Sequence, residues 1–193
     1  MADLWLIRHG ETEWSLSGGH TGRTDIPLTD KGREQASALG RWLANRVFSL
    51  VLTSPLTRAR ETCQLAGFGG RVEVDPNLRE WDYGRYEGLT TREIQQINPR
   101  WSLWKDGVPG GETADQVAAR ADAVIARANA ATGDVALFSH GHLLRVLATR
   151  WLGLEPVAGR LFALGTASVS TLGYERETRV ITRWNLSVSL TPD

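Results

Sequence analysis

The chain reads as a single α/β domain over residues 1–193, a three-layer α/β/α sandwich with a mostly parallel central sheet and an antiparallel edge. Three observations predict this. Short apolar runs of strand length alternate with longer stretches of helical periodicity, the pattern of parallel strands joined by crossover helices. The tail, residues 168–190, alternates instead and predicts two further strands, antiparallel to one another. No repeat, low-complexity tract or charge block interrupts the pattern to mark a linker.

Leu4-Trp5-Leu6-Ile7, stopped at Gly10, is a buried strand. Ala36, Leu39, Leu43 and Val47 recur at helical spacing and predict a helix over 30–46. Phe48 to Thr53 is a second buried strand. Ser54-Pro55 then reads as an N-cap with Pro at the first helical position, opening a helix through about Leu65. Arg71 to Val74 is a short strand. Residues 77–111 are irregular and rich in Trp and Tyr, and read as an insertion covering a substrate. Within them Thr90-Thr91-Arg92-Glu93 carries a capping-box pattern, and Thr113-Ala114-Asp115-Gln116 repeats it. The second of these starts a helix with Val117, Ala121, Val124, Ile125 and Ala128 on one face. Asp134 to Ser139 is a strand and Leu143 to Leu152 a helix.

Composition narrows the function. There are 22 basic and 22 acidic residues in 193, and the pI is near 6.9, which argues against a nucleic-acid partner. No run approaches the roughly 18 apolar residues of a membrane span. Leu4 to Ile7 is too short for a signal peptide. The one cysteine, Cys63, reads as a buried small hydrophobe, and having no disulfide partner it fits a reducing cytoplasm. Of the basic residues, 20 are Arg, which composition bias largely explains. Position must select any that hold phosphate or carboxylate.

Ligands of open α/β sheets bind beyond the carboxyl ends of the strands. Three such ends are polar here: Arg8-His9-Gly10-Glu11-Thr12, Ser54-Pro55-Leu56-Thr57-Arg58 and Ser139-His140-Gly141-His142. Side by side, they would gather Arg8, Arg58, His9 and His140 at one rim, a phosphate-binding set. A neutral imidazole is nucleophilic toward phosphorus, and His9, beside flexible Gly10, is the natural nucleophile. Arg8, Arg58 and His140 would stabilise the phosphoryl oxygens. Glu80 lies among aromatic residues that could raise a carboxyl pKa and suit it to protonating the leaving group, with Asp82 and Glu87 as rivals. Trp81 and Tyr83 are expected to face the pocket.

Arg8-His9-Gly10-Glu11-Thr12 followed by Trp14 resembles the signature of the histidine phosphatase superfamily, which includes phosphoglycerate mutases. Ser54-Pro-Leu-Thr-Arg58-Ala, Leu78-Arg-Glu80 and Ser139-His140-Gly141 match further motifs in the same order, across residues 3–175. The resemblance implies a phosphoglycerate mutase-like fold with no cofactor and no metal. It makes His9 the phosphorylated nucleophile and Glu80 the proton donor, with Arg8, Arg58 and His140 around the phosphate. Ser15 stands where many members carry Asn. Trp14 to Asp25, Glu80 to Gly88, Trp104-Lys-Asp-Gly107 and His140-Gly-His142 are closer to phosphatases of the sedoheptulose-bisphosphatase type. There Thr21, Gly22 and Arg145 would contact substrate, and Gly141 and His142 complete that set.

The implied activity is phosphatase action on a small phosphorylated metabolite, a sugar phosphate or similar phosphomonoester. A phosphomutase with the same site is the alternative. The short segment from Glu80 to His140 favours hydrolysis, since family mutases close the site with a longer one. A binder without chemistry would need neither nucleophile nor acid. His140 and His142, joined by His20, could instead ligate a metal, but no supporting carboxylates are evident. Arg92 reads as exposed, and Arg120 and Arg127 as a solvated helix face. An exposed strand edge or the tail would allow a homo-oligomer.

Overall fold

A computed structural model describes residues 2–188. The strands are β1 (Leu4–Arg8), β2 (Leu50–Thr53), β3 (Val72–Val74), β4 (Val135–Ser139), β5 (Ser168–Glu175) and β6 (Thr178–Ser187). They form one sheet in the order β3-β2-β4-β1-β5-β6. The first four are parallel, and β5 and β6 run antiparallel at one side. Seven α-helices lie among the described residues: α1 (Glu13–Ser17), α2 (Asp30–Leu43), α3 (Thr57–Leu65), α4 (Thr91–Ile97), α5 (Leu103–Asp106), α6 (Ala114–Asn129) and α7 (Gly141–Trp151). None is long and apolar enough to cross a membrane.

The sheet divides the core in two. Successive strand side chains point to opposite faces, so Leu4, Leu6, Val135 and Leu137 pack with α6 and α7. Trp5, Ile7, Ala136 and Phe138 pack on the other side with Leu39 and Leu43 of α2 and Cys63 of α3. Both faces are covered, which is why β1 and β4 read as continuous apolar runs rather than alternating ones. Burial pushes the Cys63 thiol up to about 12, as suits an inert core residue.

Both predicted capping boxes form: Thr90 with Glu93 opens α4, and Thr113 with Gln116 opens α6. All five residues predicted for the apolar face of α6 are buried. Other boundaries move. α2 ends at Leu43, leaving Val47 85% exposed in the connection to β2. The Ser54-Pro55 cap does not form. α3 starts at Thr57 behind Leu56, which makes no side-chain cap bond; the Ser54 hydroxyl accepts from the Leu56 amide at 3.3 Å, just ahead of the helix, and from His140 Nε2 at 2.8 Å. α1 was not predicted; Thr12 and Ser15 close a capping box there with Ser in the usual Glu or Gln position. Residues 189 and 190 of the predicted tail strand lie outside the described residues.

Two arginines read as solvated are ion-paired. Arg127 holds Asp75 and Glu73, and Arg120 is largely buried against Glu112. Arg92 is exposed, as expected. Gly10 serves close approach rather than flexibility: a Cβ there would lie 2.4 Å from the Gly32 carbonyl oxygen of α2.

Register fixes where chemistry can occur. Arg8 pairs with Ser139 across β1 and β4, and Thr53 with Phe138 across β2 and β4. His9, Ser54 and His140, one residue beyond each strand, therefore emerge at one rim.

Candidate active site

His9 and His140 meet at that rim with ring centroids 5.2 Å apart. The amide of His9 donates to Ser139 O at 3.0 Å, which continues the β1–β4 ladder by one rung and fixes the backbone. Its Nδ1 lies 2.7 Å from Gly10 O. A carbonyl has no hydrogen to give, so Nδ1 carries the proton and Nε2 the lone pair. Burial, then the charges of Arg8 and Arg58, hold the His9 pKa well below its ordinary value. The ring is neutral at neutral pH.

His140 takes the opposite tautomer. Its Nδ1 accepts from Arg58 Nε at 3.1 Å, so its Nε2–H donates to Ser54 Oγ at 2.8 Å. Burial and Arg58 likewise hold it neutral. The remaining Arg58 nitrogens donate to the carbonyls of Thr21, Gly22 and Thr24, each at 3.0 Å. Arg58 and His140 thus stand behind the wall of the site, where Arg58 ties the 21–24 loop to His140.

The wall encloses a cavity of about 170 Å³. Of the residues predicted for the site, Arg8, His9, Glu80, Thr21, Tyr83, Gly141, His142 and Arg145 line it. Arg58, His140, Gly22 and Trp81 do not. Gly22 donates its amide to Glu87 and gives its carbonyl to Arg58, and a Cβ there would lie 2.5 Å from Trp81 O. Trp81 is fully buried, with its indole donating to Glu112 O. Its expected pocket-facing position is corrected: the ring packs in the core, edge-on to Trp104 and His142.

Arg8 is anchored through Nη1 to the Leu164 carbonyl, while its Nε is buried without a partner. An unsatisfied buried cationic donor is costly unless a ligand completes it. Glu80 faces it from the 77–111 segment. Its carboxyl is held by three main-chain amides. Oε1 accepts from the amides of Trp81 and Leu143, and Oε2 from His142, at 2.9–3.0 Å. The two rivals are engaged elsewhere: Asp82 pairs with Arg23, and Glu87 accepts from the amides of Gly22 and Thr24.

On the far side, Tyr83 Oη and His142 Nδ1 are 2.6 Å apart. Burial raises the phenol pKa and depresses that of the imidazole, so the bond joins two neutral groups. Arg145 lies over the Trp104 ring, 4.7 Å from its centroid, and donates to Gly159 O. Trp14, Ser15, Gly18, Gly19, His20 and Leu164 also line the cavity. Of these, the sequence singles out His20 only as a metal ligand, and nothing in it marks Leu164. Among the described residues no group of three His, Cys, Asp or Glu side chains could hold a metal. Both His140 nitrogens are bonded within the protein, and His142 Nδ1 is taken by Tyr83.

The lining carries two arginines against one carboxylate, beside three neutral histidines, a local positive surplus suited to an anion within a neutral chain. Proteins of known function agree with that character. The chain is 44% identical over 180 residues to an acid phosphatase of Mycobacterium tuberculosis, covering 91% of this chain and 88% of the relative. It is 38% identical over 181 residues to sedoheptulose 1,7-bisphosphatase of Saccharomyces cerevisiae, covering 77% and 67%. The solved structure of the Mycobacterium tuberculosis Rv3214 product superposes with a TM-score of 0.93 at 42% identity, over 97% of this chain and 99% of that one. A family model matches residues 4–187. The chain belongs to the histidine phosphatase superfamily, branch 1.

Proposed function

We propose that the protein is a phosphatase that hydrolyses a small phosphorylated metabolite, a sugar phosphate or similar phosphomonoester, through a phosphohistidine on His9. The observation that carries this is the Gly10 carbonyl on His9 Nδ1: it leaves Nε2 as the lone pair, on a ring that lines a positive cavity. Nε2 attacks phosphorus and the bond to the ester oxygen breaks. Glu80 gives its proton to the departing alkoxide. The charge arriving on the ring stays on Nδ1–H, donated to Gly10 O. Water then attacks phosphorus, the P–N bond breaks, and Glu80 recovers a proton from the water.

Arg8 supplies the open donor for the phosphoryl oxygens. Arg58 and His140 act with it, holding the rim and its charge. Thr21, Tyr83, Gly141, His142 and Arg145 meet the rest of the substrate, with Gly22 and Trp81 shaping the wall. The 77–111 segment covers the substrate and brings Glu80 and Tyr83 to it.

A panel of sugar phosphates, phosphoglycerates and phosphoamino acids tests the proposal. The expected result is release of inorganic phosphate that persists in EDTA, ranked by kcat/KM. Conversion of 3-phosphoglycerate to 2-phosphoglycerate without phosphate release would establish the mutase alternative instead.

A further inference from the structure

Arg120 lies outside the cavity, and the chemistry proposed above makes no use of it. Its side chain on α6 is only 18% exposed, and its partner Glu112 20%. Nε and Nη2 donate to the two carboxylate oxygens of Glu112, both at 2.8 Å, in a bidentate pair. Nη1 donates to the carbonyls of Asn77 at 2.7 Å and Arg79 at 2.8 Å, and Nη2 also reaches Glu80 O at 3.4 Å. All five N–H groups of the guanidinium are therefore placed.

Glu112 extends the same grip along the chain. Its Oε2 accepts from the Asp82 amide at 2.9 Å, and its own amide donates to Asp82 O at 3.0 Å. Its carbonyl accepts from the Trp81 indole at 2.8 Å. Every residue from Arg79 to Asp82 is thus tied to one ion pair. The segment is irregular, so its carbonyls have no ladder to satisfy them, and the fork substitutes for one. Arg120 donates to none of the residues that carry Arg8, His9 or His140. Its grip falls on the turn that delivers Glu80.

We infer that the Arg120–Glu112 pair positions Glu80 for proton delivery, so that loosening it impairs protonation of the leaving group while sparing attack by His9. The inference rests on the reading of Glu80 as the general acid. General-acid contributions of about 10²- to 10⁴-fold fall steeply with small misplacement.

The test is the dependence of log kcat/KM on leaving-group pKa, over a series from p-nitrophenyl to alkyl phosphates. kcat/KM reports the step that breaks the ester bond and is blind to later hydrolysis. Glu80→Gln is measured first and must steepen the slope. If it does not, the acid reading fails and the positioning role falls with it. Given that steepening, Arg120→Met is expected to cost about 30-fold or more on alkyl phosphates and under about 3-fold on p-nitrophenyl phosphate. Arg120→Lys keeps the charge without the fork and falls between; it decides the matter if the Met variant does not fold. Adding Arg120→Met to Glu80→Gln should steepen the slope no further. Arg150→Met breaks the ion pair with Asp122 between α7 and α6, remote from Glu80, and should leave the slope unchanged. A uniform loss across leaving groups in both Arg120 variants would make the pair merely structural and overturn the inference.

Discussion

The tautomer of one histidine governs the chemistry at the scale of single residues. Gly10 O commits Nδ1 of His9 to donation, and Arg58 commits His140 to the opposite arrangement. Two buried histidines 5.2 Å apart therefore differ in role: one presents a free nitrogen, and the other is bonded on both. Glu80 faces the first across the cavity, and Glu80→Gln should slow alkyl phosphates by about 100-fold or more and p-nitrophenyl phosphate far less. Equal losses on both would count against Glu80 as the proton donor. His9, Arg8 and Glu80 were legible in the sequence because polar residues at strand ends and an intact motif order are one-dimensional signals. The tautomers were not, because they depend on contacts such as Arg58 with His140, 82 positions apart. Arg120 reads as solvated in the sequence for the same reason. A helix position predicted to face solvent gains a burying partner only when the 77–82 turn folds over it.

Elements supply the precision those residues need. β1, β2 and β4 end together because their register is set by two-sided burial, and a slip of one residue would turn Ile7 and Leu6 to the wrong faces. The Gly10 contact with α2 then fixes the turn after β1. Gly10→Ala should destabilise the fold by about 1–3 kcal/mol through overpacking and also lower kcat, since His9 is its neighbour. Thr113→Ala removes only the α6 cap, at about 1 kcal/mol, and should leave kcat unchanged below the melting transition. Denaturant titration paired with kinetics separates the two; a kcat loss in the Thr113 variant equal to that of Gly10→Ala would contradict the distinction. Capping boxes at Thr90 and Thr113 were readable because they are local patterns. Ser54-Pro55 shows their limit: Ser54 accepts from the Leu56 amide and from a buried imidazole at once, and the helix starts only at Thr57.

For the whole molecule, neutrality conceals an uneven distribution of charge. The cavity lining is positive while the total is zero, which suits a small anion rather than a polyanion. All four histidines, His9, His20, His140 and His142, have pKa values depressed first by burial. They bind protons more readily unfolded than folded. The stability they contribute is full above the unfolded value near 6.5 and is lost as pH falls toward their lower folded values. Each proton taken up on unfolding adds about 1.4 kcal/mol per pH unit to the slope. Urea midpoints should therefore drop between pH 6.5 and 5, and replacing His142 with Asn should flatten that decline by up to one proton. An invariant midpoint across the window would show the histidines to be solvated in the folded state.

We propose that His9 Nε2 receives the phosphoryl group. Rapid mixing with ³²P-labelled substrate, a denaturing alkaline quench and peptide mapping test it most directly. The predicted result is an acid-labile, alkali-stable label on His9, attached at Nε2 and absent from His9→Ala, which should also lack turnover. A label on His140, a label on Nδ1 of His9, or active turnover with no trapped label would contradict it.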